Sequence, residues 1–194
     1  MPDKPQLLIV GGPNGSGKTT VAMQYATSEG IPYIGADAIA ASLAPDDPTS
    51  ARVDAGRQFI RSVNDSIADK RSFVVESTLS GRSFHHHLLA ASKNGYEITI
   101  VFVFVDSVDV CVARVAERVR KGGHDVPEVD IRRRYIRSIR NFWTLYRDFA
   151  DSWVMLYNGG SQIHDVAVGS RREMAVRDAT LHANFLTLVE SFDD

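Results

Sequence analysis

The sequence has little cysteine, no long hydrophobic run and almost no net charge. Its single cysteine, Cys111, cannot form a disulfide within the chain and lies among Val108, Val112 and Val115, so we expect a buried structural thiol. No apolar stretch approaches the ~20 residues that a membrane-spanning helix needs. A net charge of −2 provides no general attraction to nucleic acid or to an anionic membrane.

The remaining composition is that of an ordinary globular protein. With 194 residues and 44% apolar side chains, the chain is long enough to bury a substantial core, and we interpret residues 1–194 as one domain. The N-terminus leads directly into an apolar strand pattern, so we expect no signal peptide and a cytoplasmic location.

Apolar strand patterns alternate with helical patterns along most of the chain. The predicted strands lie at 6–10, 32–34, 73–75, 98–105 and 153–157. The predicted helices lie near 19–27, 51–69, 82–94, 108–120 and 128–149, and the tail is expected to hold a short strand and a helix over about 174–191. This alternation predicts an α/β fold. Its five-stranded parallel sheet would carry helices on both faces and bind a ligand at the carboxyl ends of its strands.

Residues 12–19 read Gly-Pro-Asn-Gly-Ser-Gly-Lys-Thr, a complete phosphate-binding loop (P-loop) between a predicted strand and a predicted helix. In such a loop, consecutive backbone N–H groups surround the phosphates of a nucleotide. The cation of Lys18 approaches the β- and γ-phosphates, and the hydroxyl of Thr19 binds Mg²⁺. The residues predicted to bind the nucleotide are Gly12, Pro13, Asn14, Gly15, Ser16, Gly17, Lys18, Thr19 and Thr20.

Two aspartates follow predicted strands. Asp37 comes after the second strand, where its carboxylate could accept a proton from an attacking hydroxyl or help to hold Mg²⁺. Asp37 could also cap the helix that follows it. Asp106 ends the fourth strand, and for this residue we prefer a role at the start of the next helix to a role as a Mg²⁺ ligand.

A polar run from Glu76 to Arg82 follows the third strand. A carboxylate at the end of an apolar strand is costly unless it has a partner, and the hydroxyl groups beside it suit a hydroxyl-rich substrate. Glu76 and Thr78 are therefore candidate substrate-binding residues. The alternative is that Thr78 or Ser80 caps a helix that begins near Arg82.

Residues 114–147 form a strongly basic segment. They include nine of the chain's 17 arginines and one lysine against four acidic residues, a local charge of +6. A glycine pair and a proline between residues 121 and 127 separate two helical patterns, as is typical of a lid over a nucleotide, and we place this lid at about 114–135. Arg118 and Arg134 flank the glycine pair, so we expect them to neutralise the charge of a transferring phosphoryl group.

Together these motifs resemble those of the zeta toxin family, and in particular its bacterial branch often labelled "predicted ABC-type ATPase". The resemblance depends on the P-loop, on Ala36-Asp37, on the stretch from Glu76 to Gly81 and on the Gly-Gly-His-x-Val-Pro sequence within the lid. It covers about residues 6–158.

The resemblance implies a P-loop kinase with strand order 2-3-1-4-5, ATP and Mg²⁺ as cofactors, and a separate antitoxin protein as a partner. Several zeta toxins phosphorylate the 3′-hydroxyl of UDP-N-acetylglucosamine, which makes this sugar nucleotide the first acceptor to consider. Carried over by motif, the implied roles are ATP and Mg²⁺ binding by Lys18 and Thr19, general base for Asp37, acceptor binding by Glu76 and Thr78, and phosphate neutralisation by Arg118 and Arg134.

The sequence therefore favours an ATP- and Mg²⁺-dependent kinase of small molecules. One alternative is an ATPase switch that acts through a protein partner, and it predicts hydrolysis that no sugar nucleotide alters. Another is a polynucleotide kinase, whose binding would depend steeply on salt. The basic segment has no aromatic residue before Tyr135 on which a base could stack, which argues against nucleic acid.

Overall fold

The computed structural model describes residues 4–192. Strand β1 (Gln6–Gly11) leads through the P-loop into helix α1 (Lys18–Glu29), in the predicted order. The elements that follow are β2 (Tyr33–Ile34), α2 (Ala36–Leu43), α3 (Arg52–Ala68), β3 (Phe73–Ser77), α4 (His85–Lys93), β4 (Glu97–Phe104), α5 (Val108–Arg120), α6 (Glu128–Thr144), a short 3₁₀ helix (Tyr146–Asp148), β5 (Ser152–Tyr157), β6 (His164–Ser170), β7 (Met174–Val176) and α7 (Ala179–Glu190).

The sheet has the order β2-β3-β1-β4-β5-β6-β7. Strands β1 to β5 are parallel and follow the order 2-3-1-4-5, so the predicted α/β P-loop fold is confirmed. The predicted number of strands was too low, because β6 and β7 extend the sheet in antiparallel orientation. Strand β7 is exposed along its whole length and has only three residues, which is too short for its pattern to predict a strand.

The C-terminal tail differs from the prediction at one end of its helix. Residues 174–176, predicted as helix, form β7, and α7 begins only at Ala179. The side chain of Asp178 accepts a hydrogen bond from the backbone N–H of Leu181, which fixes the start of the helix at this point. Three consecutive apolar residues fit either a helix or a strand, and pairing with β6 makes this segment a strand.

Alternate residues of β1 enter two separate apolar clusters on opposite faces of the sheet. Leu7 and Ile9 belong to the larger cluster, to which α3, α4, α5, α6 and α7 contribute. Leu8 and Val10 belong to a smaller cluster beneath α1. The sheet is thus buried on both faces near its centre, as a parallel sheet requires. No helix among residues 4–192 is long and apolar enough to cross a membrane.

The strand register brings the chemistry-bearing segments together. Val10 pairs with Glu76 and Gly11 pairs with Ser77, so the end of β3 lies directly beside the start of the P-loop. On the other side, Gly11 pairs with Phe102 of β4. Because parallel strands end at the same edge, the P-loop and the segments after β2 and β3 surround one site.

Candidate functional site

A cavity of about 550 Å³ opens at the carboxyl edge of the sheet. Most of the residues predicted to act in the site line this cavity, namely Asn14, Gly15, Gly17, Lys18, Thr19, Thr20, Asp37, Glu76, Thr78, Arg118 and Arg134. Gly12, Pro13 and Ser16 are buried within the loop and do not line it. Phe59 and Arg114 also line the cavity, and neither was among the predicted site residues. Phe59 lies in α3, which carries no motif that indicates a site, whereas Arg114 lies at the start of the predicted lid.

The P-loop holds its lysine in a buried position. Lys18 is 5% exposed, and its Nζ donates a hydrogen bond of 2.6 Å to the carbonyl oxygen of Pro13. Burial lowers the pKa of the Lys18 ammonium, and the negative charges of Glu76 and Asp37 oppose this effect. A buried cation beside consecutive backbone N–H groups is suited to a phosphate chain.

Neighbouring elements approach the P-loop so closely that side chains would not fit at its glycines. A Cβ atom at Gly15 would lie 2.7 Å from the carbonyl oxygen of Cys111 at the start of α5. A Cβ atom at Gly17 would collide with the amide nitrogen of Asn158, which donates 2.8 Å to the carbonyl oxygen of Ser16. Asn158 follows β5, so a residue 142 positions from Ser16 supports the shape of the loop. Sequence reasoning missed Asn158, since no local motif indicates it.

The carboxylate of Glu76 is held by two hydroxyl groups. Oε1 accepts a hydrogen bond of 3.1 Å from the hydroxyl of Thr19, and Oε2 accepts one of 2.6 Å from the phenol of Tyr33. Burial raises the pKa of Tyr33, as does the adjacent Glu76, so the phenol stays protonated and donates. Glu76 therefore contacts the predicted Mg²⁺ ligand, and it connects the end of the P-loop with β2.

Asp37 lies in the first turn of α2, exposed and facing the cavity. The residue that precedes the helix is Gly35, and no side chain caps it. The alternative role of Asp37 as a helix cap is therefore wrong. The carboxylate remains accessible for a substrate, a proton or a metal ion.

Residues 78–81 form a loop with an unusual backbone. Leu79 has φ = 53°, a left-handed conformation that is costly for any residue other than glycine. Its side chain is buried, at 1% exposed. Thr78 and Ser80 lie on either side of it, and their hydroxyl oxygens are 2.8 Å apart. Helix α4 begins at His85 without a side-chain cap, so the proposal that Thr78 or Ser80 caps it is wrong.

Three side chains from α6 and the 3₁₀ helix hold this loop by its backbone. Asn141 Nδ2 donates 2.9 Å to the carbonyl oxygen of Leu79. The hydroxyls of Ser138 and Tyr146 donate to the carbonyl oxygens of Thr78 and Gly81. Sequence reasoning missed all three residues, because they are 60 or more positions away from their partners and form no motif with them.

Three arginines of the basic segment reach the cavity: Arg114, Arg118 and Arg134. Several others are paired with acids outside it: Arg120 with Glu117, Arg132 with Asp109 and Glu128, and Arg133 with Asp130. Arg118 donates from Nη2 to the carbonyl oxygen of His124 at 2.7 Å, within the turn that follows α5 in the predicted lid. The basic segment thus supplies a few cations to the cavity and places the rest at the surface.

Asp106 does not line the cavity. Its Oδ2 accepts a hydrogen bond of 3.1 Å from Tyr157, while the side chain of Ser107 caps α5. The prediction of helix-start chemistry is correct for this segment, but the cap is Ser107. Cys111 is fully buried as predicted, and burial raises the pKa of its thiol to about 12.

Comparison with known proteins gives one family and one curated relative. The AAA domain family matches residues 7–135. An uncharacterized protein of Haemophilus influenzae (strain ATCC 51907 / DSM 11121 / KW20 / Rd) is 35% identical over 124 residues, which is 64% of this chain and 88% of that protein.

Three solved structures show the same fold. The AvrRxo1-ORF1:-ORF2 structure with ATP has a TM-score of 0.76 and 15% identity over 94% of this chain, which spans only 63% of that protein. The PezAT toxin–antitoxin system of Streptococcus pneumoniae gives 0.63, with 13% identity over 98% of this chain and 86% of that one. A gluconokinase of Sinorhizobium meliloti 1021 gives 0.52, with 17% identity over 96% and 93%. The fold is therefore that of a P-loop kinase, which implies nucleotide binding.

Proposed function

Because this chain belongs to the AAA domain family and has the fold of a P-loop kinase, we propose that it is an ATP- and Mg²⁺-dependent phosphotransferase of the zeta toxin type. It transfers the γ-phosphate of ATP to a hydroxyl group of a small molecule. The observation that carries this proposal is that one cavity combines a P-loop lysine, an exposed aspartate and three arginines: Lys18, Asp37, Arg114, Arg118 and Arg134.

The acceptor hydroxyl is activated by Asp37. Its carboxylate takes the proton of the hydroxyl while the oxygen forms a bond to the γ-phosphorus, and the bond from that phosphorus to the bridging oxygen of ADP breaks. Lys18 and the arginines stabilise the negative charge on the phosphoryl oxygens during this step. Asp37 suits the role because it is exposed and does not cap α2, in whose first turn it lies.

The residues at the end of the P-loop fit Mg²⁺. The ion prefers oxygen ligands, commonly one or two carboxylates together with phosphates. The Thr19 hydroxyl and the Glu76 carboxylate lie 3.1 Å apart, and both are oxygen donors. We propose that these two residues hold the ion, which when bound neutralises charge on the β- and γ-phosphates.

The acceptor would bind on the side of Asp37, Phe59 and Thr78. Thr78 can donate or accept hydrogen bonds with sugar hydroxyls, and Phe59 offers an apolar ring at the cavity wall. Glu76 borders this half of the cavity, so it can also contact the acceptor. The resemblance to zeta toxins makes UDP-N-acetylglucosamine the first acceptor to test. By analogy with PezAT, whose structure is of a toxin–antitoxin system, an antitoxin protein is the proposed partner.

The test is incubation with γ-³²P-labelled ATP and a panel of UDP-sugars, free sugars, nucleosides and oligonucleotides, with Lys18→Ala as the inactive control. We expect label on a small hydroxyl compound, with UDP-N-acetylglucosamine tested first. Release of labelled phosphate alone, stimulated by a protein partner, would instead identify an ATPase switch. Label on oligonucleotides would identify a polynucleotide kinase. Equal transfer by wild type and Lys18→Ala would refute the kinase proposal.

A further inference from the structure

The turn between α5 and α6 is in direct contact with Arg118. The backbone N–H of Gly123 donates 2.9 Å to the carbonyl oxygen of Arg118, and the carbonyl oxygen of His124 accepts 2.7 Å from its guanidinium. Each end of the turn is also fixed. Gly122 closes α5 in a left-handed conformation at φ = 84°, and Val126 is 4% exposed within the main apolar cluster.

The contact requires glycine at position 123. A Cβ atom there would lie 2.5 Å from Cγ and 3.3 Å from Cδ of Arg118, and 2.9 Å from its carbonyl oxygen. An alanine would therefore push the arginine stem away from its present path. At Gly122, by contrast, a Cβ atom would meet nothing within 4 Å.

The guanidinium keeps hydrogen-bonding capacity for a ligand. Among residues 4–192, only Nη2 of this guanidinium has a hydrogen-bond partner, while Nε is buried without one. The side chain lines the cavity beside Lys18. The positive charge of Arg118 also contributes to the lowered pKa of Lys18, although burial is the main cause, so the two cations act on the same region.

We propose that Gly123 and the carbonyl group of His124 are positioning elements that hold the Arg118 guanidinium at the phosphate site. In this proposal the turn fixes the position of the arginine before nucleotide binds. The functional part of this inference rests on the proposed phosphotransferase activity. The positional part does not, and it has its own readout.

The positional readout is the ¹H–¹⁵N NMR signal of the Arg118 side chain, assigned with Arg118→Lys. In the wild type without nucleotide we expect slow rotation of this guanidinium, because His124 holds one end. In Gly123→Ala we expect its signal to resemble those of exposed arginines. The matched control, Gly122→Asn, adds a Cβ atom one position earlier in a conformation that asparagine tolerates, and it should leave the signal unchanged.

The kinetic readout is ATP hydrolysis with water as the acceptor, in a cycle with Arg118→Ala. Displacing a catalytic group by about 1 Å can cost roughly 10²-fold, so we expect Gly123→Ala to lower kcat by about that factor and to change ATP affinity little. In the Arg118→Ala background the same substitution should have almost no further effect. The Cβ atom added by Gly123→Ala also clashes with the backbone carbonyl of residue 118. This clash is present with either side chain at position 118, so it cancels when the two effects of Gly123→Ala are compared.

The outcomes separate the two proposals. If the wild type shows no phosphoryl transfer or hydrolysis, the proposed function fails, and the NMR comparison still decides whether the turn holds Arg118. An Arg118 signal that Gly123→Ala leaves unchanged overturns the positional proposal. A loss of kcat of equal size in both backgrounds overturns it as well, because the turn would then act independently of Arg118. Melting temperatures of all variants identify any that do not fold.

Discussion

The half of the cavity that we propose binds nucleotide is formed mainly by one short segment, residues 12–20, whereas the half that we propose binds the acceptor is assembled from distant parts of the chain. The P-loop carries its own lysine and threonine, and neighbours such as Asn158 only support its shape. The loop at residues 78–81, which we propose borders the acceptor, has a strained residue at Leu79, and side chains of α6 bind its carbonyl groups. A phosphate chain is common to all nucleotides, so a local motif can bind it. Acceptors differ in shape and in their hydrogen-bonding groups, so we expect the acceptor site to depend on tertiary contacts.

Lys18→Ala should have the largest effect, because it removes the cation that both halves depend on. We expect phosphoryl transfer to fall by about 10³-fold or more, in the range found when a cation at the transferring phosphate is removed, together with weaker ATP binding. Rates of transfer and ATP affinity measured in the same preparation check this. Lys121→Ala is the control, since that lysine is exposed and paired with Glu117. A similar loss in both variants would mean that the effect is not specific to the P-loop.

Asp37→Asn should separate the two halves. We expect ATP binding to be retained, because the P-loop is intact, while transfer falls by about 10² to 10⁴-fold through loss of the general base. Titration with a fluorescent ATP analogue and a transfer assay measure the two quantities. Asp106→Asn is the matched control, because Asp106 also follows a strand but lies outside the cavity. Full activity of Asp37→Asn would remove this residue from the mechanism.

Glu76→Gln tests the border between the halves. From the sequence alone, loss of the Glu76 carboxylate should weaken binding or phosphorylation of the acceptor and spare ATP hydrolysis. The hydrogen bond from Thr19 now leads us to expect a higher Mg²⁺ requirement as well, by about 10- to 100-fold, since residues that orient metal ligands have effects of this size. The Mg²⁺ dependence of nucleotide binding and of hydrolysis measures it. Glu97→Gln is the control at an exposed strand start. An unchanged Mg²⁺ dependence would assign Glu76 to the acceptor half alone.

Asn141→Ala should loosen the acceptor half and leave the nucleotide half intact. It removes one hydrogen bond to the Leu79 carbonyl, worth about 1 kcal/mol, so amide hydrogen exchange in residues 78–81 should become about fivefold faster. ATP affinity should not change. Thr144→Ala is the control on the same helix. The Thr144 hydroxyl donates to the carbonyl oxygen of Arg140 within α6, so its loss should not alter the exchange. Unaltered exchange in Asn141→Ala would show that the bond does not hold the loop.

The smallest expected effect is at Cys111, which packs against the P-loop from α5. Burial disfavours the thiolate and raises the pKa to about 12, so the folded protein keeps a protonated thiol at pH 8 to 9, where an unfolded thiol begins to ionise. We expect no alkylation by iodoacetamide at pH 8, with or without ATP, and full alkylation in guanidinium chloride. Rapid labelling of the native protein would show that α5 separates from the P-loop.

The strength of the sequence signals differs between elements for physical reasons. Strands β1, β3 and β4 were predictable because burial on both faces requires continuous apolar runs. Strand β5 is buried on one face and partly buried on the other, and it also carries an apolar run. Strand β7 was not predictable, since it is exposed and short. The prediction assigned its residues to the start of the following helix. The P-loop was predictable from its spacing, because its ligand contacts are made by the backbone and need glycine at fixed positions.

The sequence by itself determined the P-loop, the order of strands and helices as far as β5, and the residue types at the carboxyl edge of the sheet, because each of these is fixed by local spacing or periodicity. Only the tertiary structure decided what those residues contact. The partners of Glu76 are Thr19 and Tyr33, and three arginines out of 17 reach the cavity. Those choices depend on strand register and helix packing over tens of residues, which no local pattern specifies.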